Sequence, residues 1–287
     1  MDNDNQKGIP GEELDPTKMP GHWLLVRLGK RVLRPGGREL TQQMLNGLSI
    51  KSSDDVVEFA PGLGFTAQLT LNQKPASYTA IERDEAAASV VHRYLTGSNQ
   101  TCLIGQAEET GLPDATATVV YGEAMLTMQT ENKKQQIVQE ASRLIKPMGR
   151  YGIHELCLVP EDLDEDTKQE IQNALTDAIH VGARPLTAPE WRALLEAEGF
   201  IIHFEATTPM HLLEPKRLIQ DEGLSGALRF GWNVLCNSGA RHRVAAMRKV
   251  FQTYEENLAA IMLVGIKPDS KDDLSSDKRG ARIGKIE

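Results

Sequence analysis

The sequence predicts an α/β fold: a mostly parallel sheet covered by helices on both faces. Three observations carry that prediction. Short β-like runs alternate with helix-patterned stretches through the middle of the chain, and such alternation means parallel strands joined by crossover helices. A loop holding two glycines one residue apart follows the first of those runs, at a strand-to-helix turn. The 287 residues, 40% of them hydrophobic, suffice for one large core with elaborations.

Taken in order, residues 1–21 are polar and acidic and lack the apolar segment of a secretory signal. With 268–287, which are charged and dotted with Gly and Ser, they read as disordered tails. Residues 22–50 read as a helical cover, in which His22–Gly37 forms a short apolar helix with a basic face, ended by a Pro-Gly-Gly turn. Trp23, Leu24, Leu25 and Leu28 have helical spacing there and are expected to pack the helix down.

The core is expected over 51–208. Asp55–Ala60 reads as a strand and Phe65–Gln73 as a helix, then Ser77–Glu82 as a strand and Asp84–Gly97 as a helix. Thr101–Gly105 and Ala117–Gly122 are the third and fourth strands. Ile137, Val138, Ala141, Leu144 and Ile145 form one helical stripe, stopped by Pro147 and Gly149, before a fifth strand at Arg150–Val159. Thr187 stands three residues before Glu190, a capping box opening a helix that ends at Gly199. Phe200–Thr207 is the next strand. Residues 209–257 read as mostly helical, broken at Pro215, Gly223, Gly231 and Gly239. That stretch is too long for a turn and is expected to form a lid over one end of the sheet. Leu258–Lys267 closes the core as its last strand.

The net charge of −8 argues against a sequence-independent grip on nucleic acid or an anionic membrane. It leaves room for a local basic patch such as Arg241, His242, Arg243, Arg248 and Lys249, which as a helical run reads first as a solvated face. No apolar run has the length of a transmembrane helix. Cys102, Cys157 and Cys236 make neither a disulfide framework nor a C-x-x-C metal knuckle. A cytoplasmic location without a metal site is the expectation.

The loop sits in "VVEFAPGLGFTAQL", Val56–Leu69, where Gly62, Gly64 and Ala67 spell the G-x-G-x-x-A fingerprint of dinucleotide enzymes. Ligands of open parallel sheets bind beyond the carboxyl ends of the strands, so the loop belongs at the site. Glu58, at the strand end just before it, argues against a pyrophosphate there. Two like unit charges about 4 Å apart repel by roughly 4 kcal/mol at an effective dielectric of 20. A ligand with a cationic group turns that repulsion into attraction.

These residues resemble the class I S-adenosylmethionine-dependent methyltransferases, in the small-molecule, type 11/25-like branch. "VVEFAPGLG" is similar to the family's first motif, an acidic residue followed by x-G-x-G-x-G, with Glu58 as the acid, Gly62 and Gly64 as the second and third glycines, and Ala60 in place of the first. The resemblance implies S-adenosyl-L-methionine as cofactor, with Glu82 in "AIERD" on the ribose hydroxyls and Arg83 beside the adenine. It places Ala60 and Pro61 in the loop, Gln106 and Ala107 at the adenine, and Gly122 at the end of the fourth strand. Gln106 departs from the more common aspartate. It implies a Rossmann-like seven-stranded sheet with an antiparallel last strand, and it covers about 52–206 and 258–267.

Methyl transfer from a sulfonium is an in-line displacement that needs no metal. A base is required only where the acceptor keeps its proton at neutral pH. The candidates for such a role are Tyr121 and Glu123 at the fourth strand, His154 near the fifth, and His22 and His211 in the cover. A small-molecule acceptor and a monomer or homodimer are expected, with no nucleic acid or membrane partner. Two rivals remain at this point: an NAD(P)-dependent oxidoreductase using the same loop, and a non-catalytic cofactor-binding module of the same fold.

Overall fold

A computed structural model describes residues 10–11, 14–210 and 212–269. Its sheet contains β1 (Asp55–Phe59), β2 (Ser77–Glu82), β3 (Gln100–Ile104), β4 (Ala117–Glu123), β5 (Ile145–Leu158), β6 (Leu186–Thr187), β7 (Ile201–Pro209) and β8 (Leu258–Ile266). The main strands lie in the order β3-β2-β1-β4-β5-β8-β7, with β8 antiparallel to both neighbours and the other main pairings parallel. The expected seven strands are therefore present, and two-residue β6 adds a short parallel pairing to β5.

Strand order reverses at β1, which has β2 on one side and β4 on the other. A crevice opens at the carboxyl end of such a switch point. Apolar residues on both faces explain why β1 and β4 sit at the centre: Phe59 and Val120 pack with Ile137, Val138 and Trp191, while Val56 and Val119 pack with Leu40, Met44 and Met262.

The helices are α1 (Gly21–Arg27), α2 (Gly37–Leu48), α3 (Phe65–Asn72), α4 (Glu85–His92), α5 (Glu131–Leu144), α6 (Glu165–Ile179), α7 (Ala188–Ala197), α8 (Pro215–Cys236) and α9 (Ser238–Thr253). The capping box at Thr187 and Glu190 is formed. The stripe on α5 is buried through Leu144, but Ile145 already begins β5. Pro147 and Gly149 thus lie inside a strand whose register slips against β4, with Met148 at a φ of 61°.

Three expectations about the cover need correction. The N-terminal stretch from Leu14 is packed: Met19 is buried, and the Arg243 guanidinium donates to the carbonyls of Pro16, Thr17 and Met19. α2 lies on the sheet against β5, β7 and β8, so it is a core layer rather than a lid. The lid itself draws on α1, α6, α8 and α9, and α6 has no counterpart in the sequence reading. Gly231 and Gly239 lie within helices. The breaks fall at Gly223, with a φ of 73°, and at Asn237, whose side chain caps α9. Residues 1–9, 270–287 and His211 lie outside the described residues.

The lid is tied to the N-terminal segment at its base. Glu222 Oε1 accepts from the backbone N–H of Arg31 and Val32 at 2.7 and 2.9 Å, and buried Lys30 Nζ stands 3.5 Å from Asp221. Leu24, Leu25, Phe230, Val244 and Met247 then pack the helices together.

Candidate functional site

The glycine loop turns between β1 and α3 in left-handed backbone: φ is 56° at Gly62 and 72° at Gly64, the N-cap of α3. Ala60, which stands where the resembling motif has its first glycine, is also left-handed, at 50°. A side chain on Gly62 would meet nothing within 4 Å, so the loop is open on the side a ligand approaches. A Cβ on Gly64 would strike the Tyr94 ring at 2.9 Å.

Glu82, at the end of β2, faces this loop. Its Oε2 accepts from Gly62 N–H at 3.0 Å and its Oε1 from Asp84 N–H at 3.0 Å. Burial raises its pKa above the ordinary carboxylate value, against the pull of those amides. Next to it lies a cleft of about 80 Å³, lined by Ala60, Ile81, Arg83, Gln106, Ala107 and Met125 among others. Of the residues expected around the cofactor, Ala60, Arg83, Gln106 and Ala107 are brought together here. Gly62, Gly64 and Glu82 are not among its lining residues; Gly62 and Glu82 meet in the turn before α3. Pro61 supports the turn, its carbonyl accepting from Gly64 N–H at 2.9 Å. Gly122 lies under Met125, whose sulfur is 3.0 Å from where a Cβ would sit.

Glu58 is placed differently from the sequence expectation. Its carboxyl is 3% exposed, and Oε2 accepts from the hydroxyls of Tyr78 at 2.5 Å and Tyr121 at 2.7 Å. It lines neither of the cavities at this end of the sheet. Burial pushes its pKa up to about 7, with the two tyrosine hydrogen bonds working the other way. Tyr121 is likewise turned into the core, its hydroxyl shared with Thr70 at 2.7 Å.

Glu123 and His154 form a second buried group. Glu123 takes hydrogen bonds from Thr41 Oγ1 at 2.6 Å, from His154 Nδ1 at 2.7 Å, and from Arg34 and Thr66. A carboxylate has about four acceptor positions, so none is left for a substrate. His154 Nε2 meets the carbonyl oxygen of Pro35. Each ring nitrogen thus faces an oxygen. Tyr121, Glu123 and His154 are therefore withdrawn as catalytic candidates. Glu123 and His154 fasten the Arg34–Gly37 turn to the sheet, and the Tyr121 hydroxyl is taken up by Glu58 and Thr70. Sequence reasoning missed Arg34, Thr41 and Thr66 because no local pattern marks side chains that meet only through the fold.

Beyond β4 and β5 a second cavity of about 120 Å³ lies under the lid. Leu25, Leu156, Leu175, Ile179, Met247 and Phe251 line it, with Met128 shared with the cleft. Among the described residues, His22 of α1 is its one titratable lining side chain. Burial, then the charge of Arg83, lowers the imidazole to about 4, so it is uncharged near neutral pH. Among the described residues no cluster of His, Cys, Asp or Glu could hold a metal ion, and no helix is long and apolar enough to cross a membrane.

This geometry can be set beside known proteins. Residues 57–153 match the methyltransferase domain family. An uncharacterized protein of Haemophilus influenzae is 30% identical over 251 residues, 86% of this chain and 98% of that protein. The chain belongs to the class I S-adenosylmethionine-dependent methyltransferases. S-adenosylmethionine is the cofactor of that family. The fold is shared with the MccD protein, at a TM-score of 0.64 and 17% identity over 82% of this methyltransferase and 99% of that chain. It is shared too with phosphoethanolamine N-methyltransferase 2 of Haemonchus contortus, solved with S-adenosyl-L-methionine, at a TM-score of 0.63 and 14% identity over 86% and 58%. The match over 57–153 spans the glycine loop, Glu82, the Gln106 stretch and the end of β4, the residues from which the cleft is built.

Proposed function

We propose that this methyltransferase moves the methyl group of S-adenosylmethionine to an uncharged, largely apolar small molecule held under the lid. The observation that carries this reading is the pair of adjoining cavities with Met128 in both linings. One is lined by Ala60, Arg83, Gln106 and Ala107, beyond the ends of β1 and β2. The other is almost wholly apolar, and apolar pockets with few polar groups select ligands of that kind.

The residues fit the cofactor. Gly62 leaves its cradle open, Glu82 offers a carboxylate to paired hydroxyls, and Ile81 and Ala107 supply flat apolar walls beside Gln106. When bound, the cofactor supplies an electrophilic methyl with a neutral thioether as leaving group. The protein's part is to hold the acceptor in line with that methyl and to keep water out, where positioning contributes roughly 7–11 kcal/mol. His22 is the group set to accept a hydrogen bond from the acceptor and to orient its reacting atom. A cytoplasmic location is part of this reading, supported by three unpaired cysteines.

Calorimetry tests the cofactor half. The protein should bind S-adenosylmethionine, and Glu82→Ala should weaken that binding at least about tenfold, the loss of one to two charge-assisted hydrogen bonds. Unchanged affinity in that variant, or tighter binding of NAD, overturns the assignment.

A further inference from the structure

The lid has an outer face as well as an inner one. On α8, Leu224, Leu228, Trp232 and Leu235 are each about two-thirds exposed, from 64% to 68%. Spacings of four, four and three put them on one side of the helix. The other exposed large apolar residues, Leu14, Leu103, Ile104, Met148 and Ile219, include no second stripe of this length. Gly231 lies within the stripe and has open space where a side chain would be.

Charge is segregated on the same hairpin. No Asp or Glu occurs between Glu222 and Glu255, while Arg229, Arg241, Arg243, Arg248 and Lys249 do. That stretch therefore carries +5 in a chain whose net charge is −8. Arg243 is spent on the N-terminal carbonyls. Arg229, Arg241, Arg248 and Lys249 are exposed, as is His242. α9 is joined to α8 through Asn237 and packs beside it, with Ala240, Arg243, Val244 and Met247 inward.

We propose that the outer face of the α8–α9 hairpin docks on an anionic lipid surface. A leucine and tryptophan stripe on a hairpin whose exposed charges are Arg and Lys has the composition of an interfacial element: the apolar side enters the headgroup boundary and basic side chains meet lipid phosphates. The acidic total of the chain conceals this local basic surface, which is why composition alone argues for no membrane partner. A second copy of the chain fits less well. A two-fold contact through this face would bring two copies of the same basic set, Arg241, Arg248 and Lys249, into one interface. A nucleic acid fits less well too, since the centre of the face offers hydrocarbon rather than donors. This docking stands apart from the methyl-transfer reading and is measured without turnover.

The test is cosedimentation of the purified full chain with vesicles of phosphatidylcholine alone or mixed with phosphatidylglycerol. Binding is expected to the mixed vesicles and to weaken with salt. The doubly substituted Leu228→Ser/Trp232→Ser and Arg248→Glu/Lys249→Glu proteins should each bind at least about tenfold more weakly. All four side chains are exposed, so thermal unfolding midpoints should stay unchanged and separate lost docking from lost folding. Failure of the wild type to bind mixed vesicles at low salt, equal binding to both vesicles, or variants that bind as the wild type does would each overturn the proposal. So would a wild-type dimer that Leu228→Ser/Trp232→Ser turns into monomers without any vesicle binding, or preferential capture by a DNA fragment that the same variant leaves intact.

Discussion

Replacing Glu123 by Gln tests the reading that the group under the lid is structural. The carboxylate is 7% exposed and receives donors from Thr41, Thr66, His154 and Arg34. Glutamine keeps the shape but loses the charge, and its amide nitrogen points a donor at donors. Removing one partner from a buried ion pair costs about 3–5 kcal/mol. A second route gives a similar figure. Burial alone would raise the acid, but Arg34, then His154 and Thr41, hold it down at about 2. The interval from its ordinary 4.5 to about 2 corresponds to about 3 kcal/mol at 1.36 kcal/mol per tenfold.

The sign follows from the direction. A depressed acid stabilises the fold above its unfolded value of about 4.5, and that contribution is lost as pH falls from there towards about 2. Urea unfolding should therefore find Glu123→Gln about 3 kcal/mol less stable than the wild type near neutral pH, with the gap closing as the solution is acidified below about 4.5. A difference under about 1 kcal/mol, or a gap that ignores pH, refutes the four-donor account.

Glu58 should behave oppositely. Its folded value of about 7 lies above 4.5, so the wild type loses stability as pH rises through that window. Relative to Glu58→Gln it should lose about 3 kcal/mol between mildly acid and mildly alkaline solution, and a pH-independent difference in urea unfolding argues against a buried carboxyl. Ala60→Gly removes a left-handed penalty of about 1–2 kcal/mol and adds unfolded-chain entropy of about 0.5–1 kcal/mol. The expected outcome is a protein about 0.5 kcal/mol more stable, and a clear loss in denaturant midpoint counts against strain at that residue. The His22 imidazole should titrate at about 4 by NMR, its signal assigned with His22→Gln. A midpoint near the ordinary value of about 6.5 places it in solvent.

The strands were legible because burial on both faces leaves short, mostly apolar runs, as in Val56–Phe59, where Glu58 is the one interruption, and Val119–Tyr121. The loop was legible because left-handed backbone at Gly62 and Gly64 selects glycine. Glu82, Arg83 and Gln106 followed from strand ends, since a parallel sheet directs its carboxyl ends to one edge. Glu58 was misread because side chains alternate along a strand, and its position in that alternation puts it with Tyr78 and Tyr121 in the core. α6 escaped notice although Ile171, Leu175 and Ala178 share its buried face. Its many charged residues hid a stripe that packs with Leu158 of β5 and Leu258 of β8. The apolar cavity beyond β4 and β5 was out of reach because α1, α6 and α9 contribute to it from three distant segments.

The choice between a cationic nucleoside and a pyrophosphate survives the relocation of Glu58, but its agent changes. A pyrophosphate is held in such a loop by free backbone amides at a helix N-terminus. Here Gly62 N–H is already taken by Glu82 Oε2, and the other oxygen is fixed on Asp84 N–H. A phosphate reaching for Gly62 must displace that carboxylate and then lie beside it, both charged and both partly desolvated. A ribose with two hydroxyls meets the same carboxylate as an acceptor and leaves Gly62 where it is. On our proposal the discrimination first read into Glu58 rests on the Gly62 amide, which Glu82 engages before any ligand arrives.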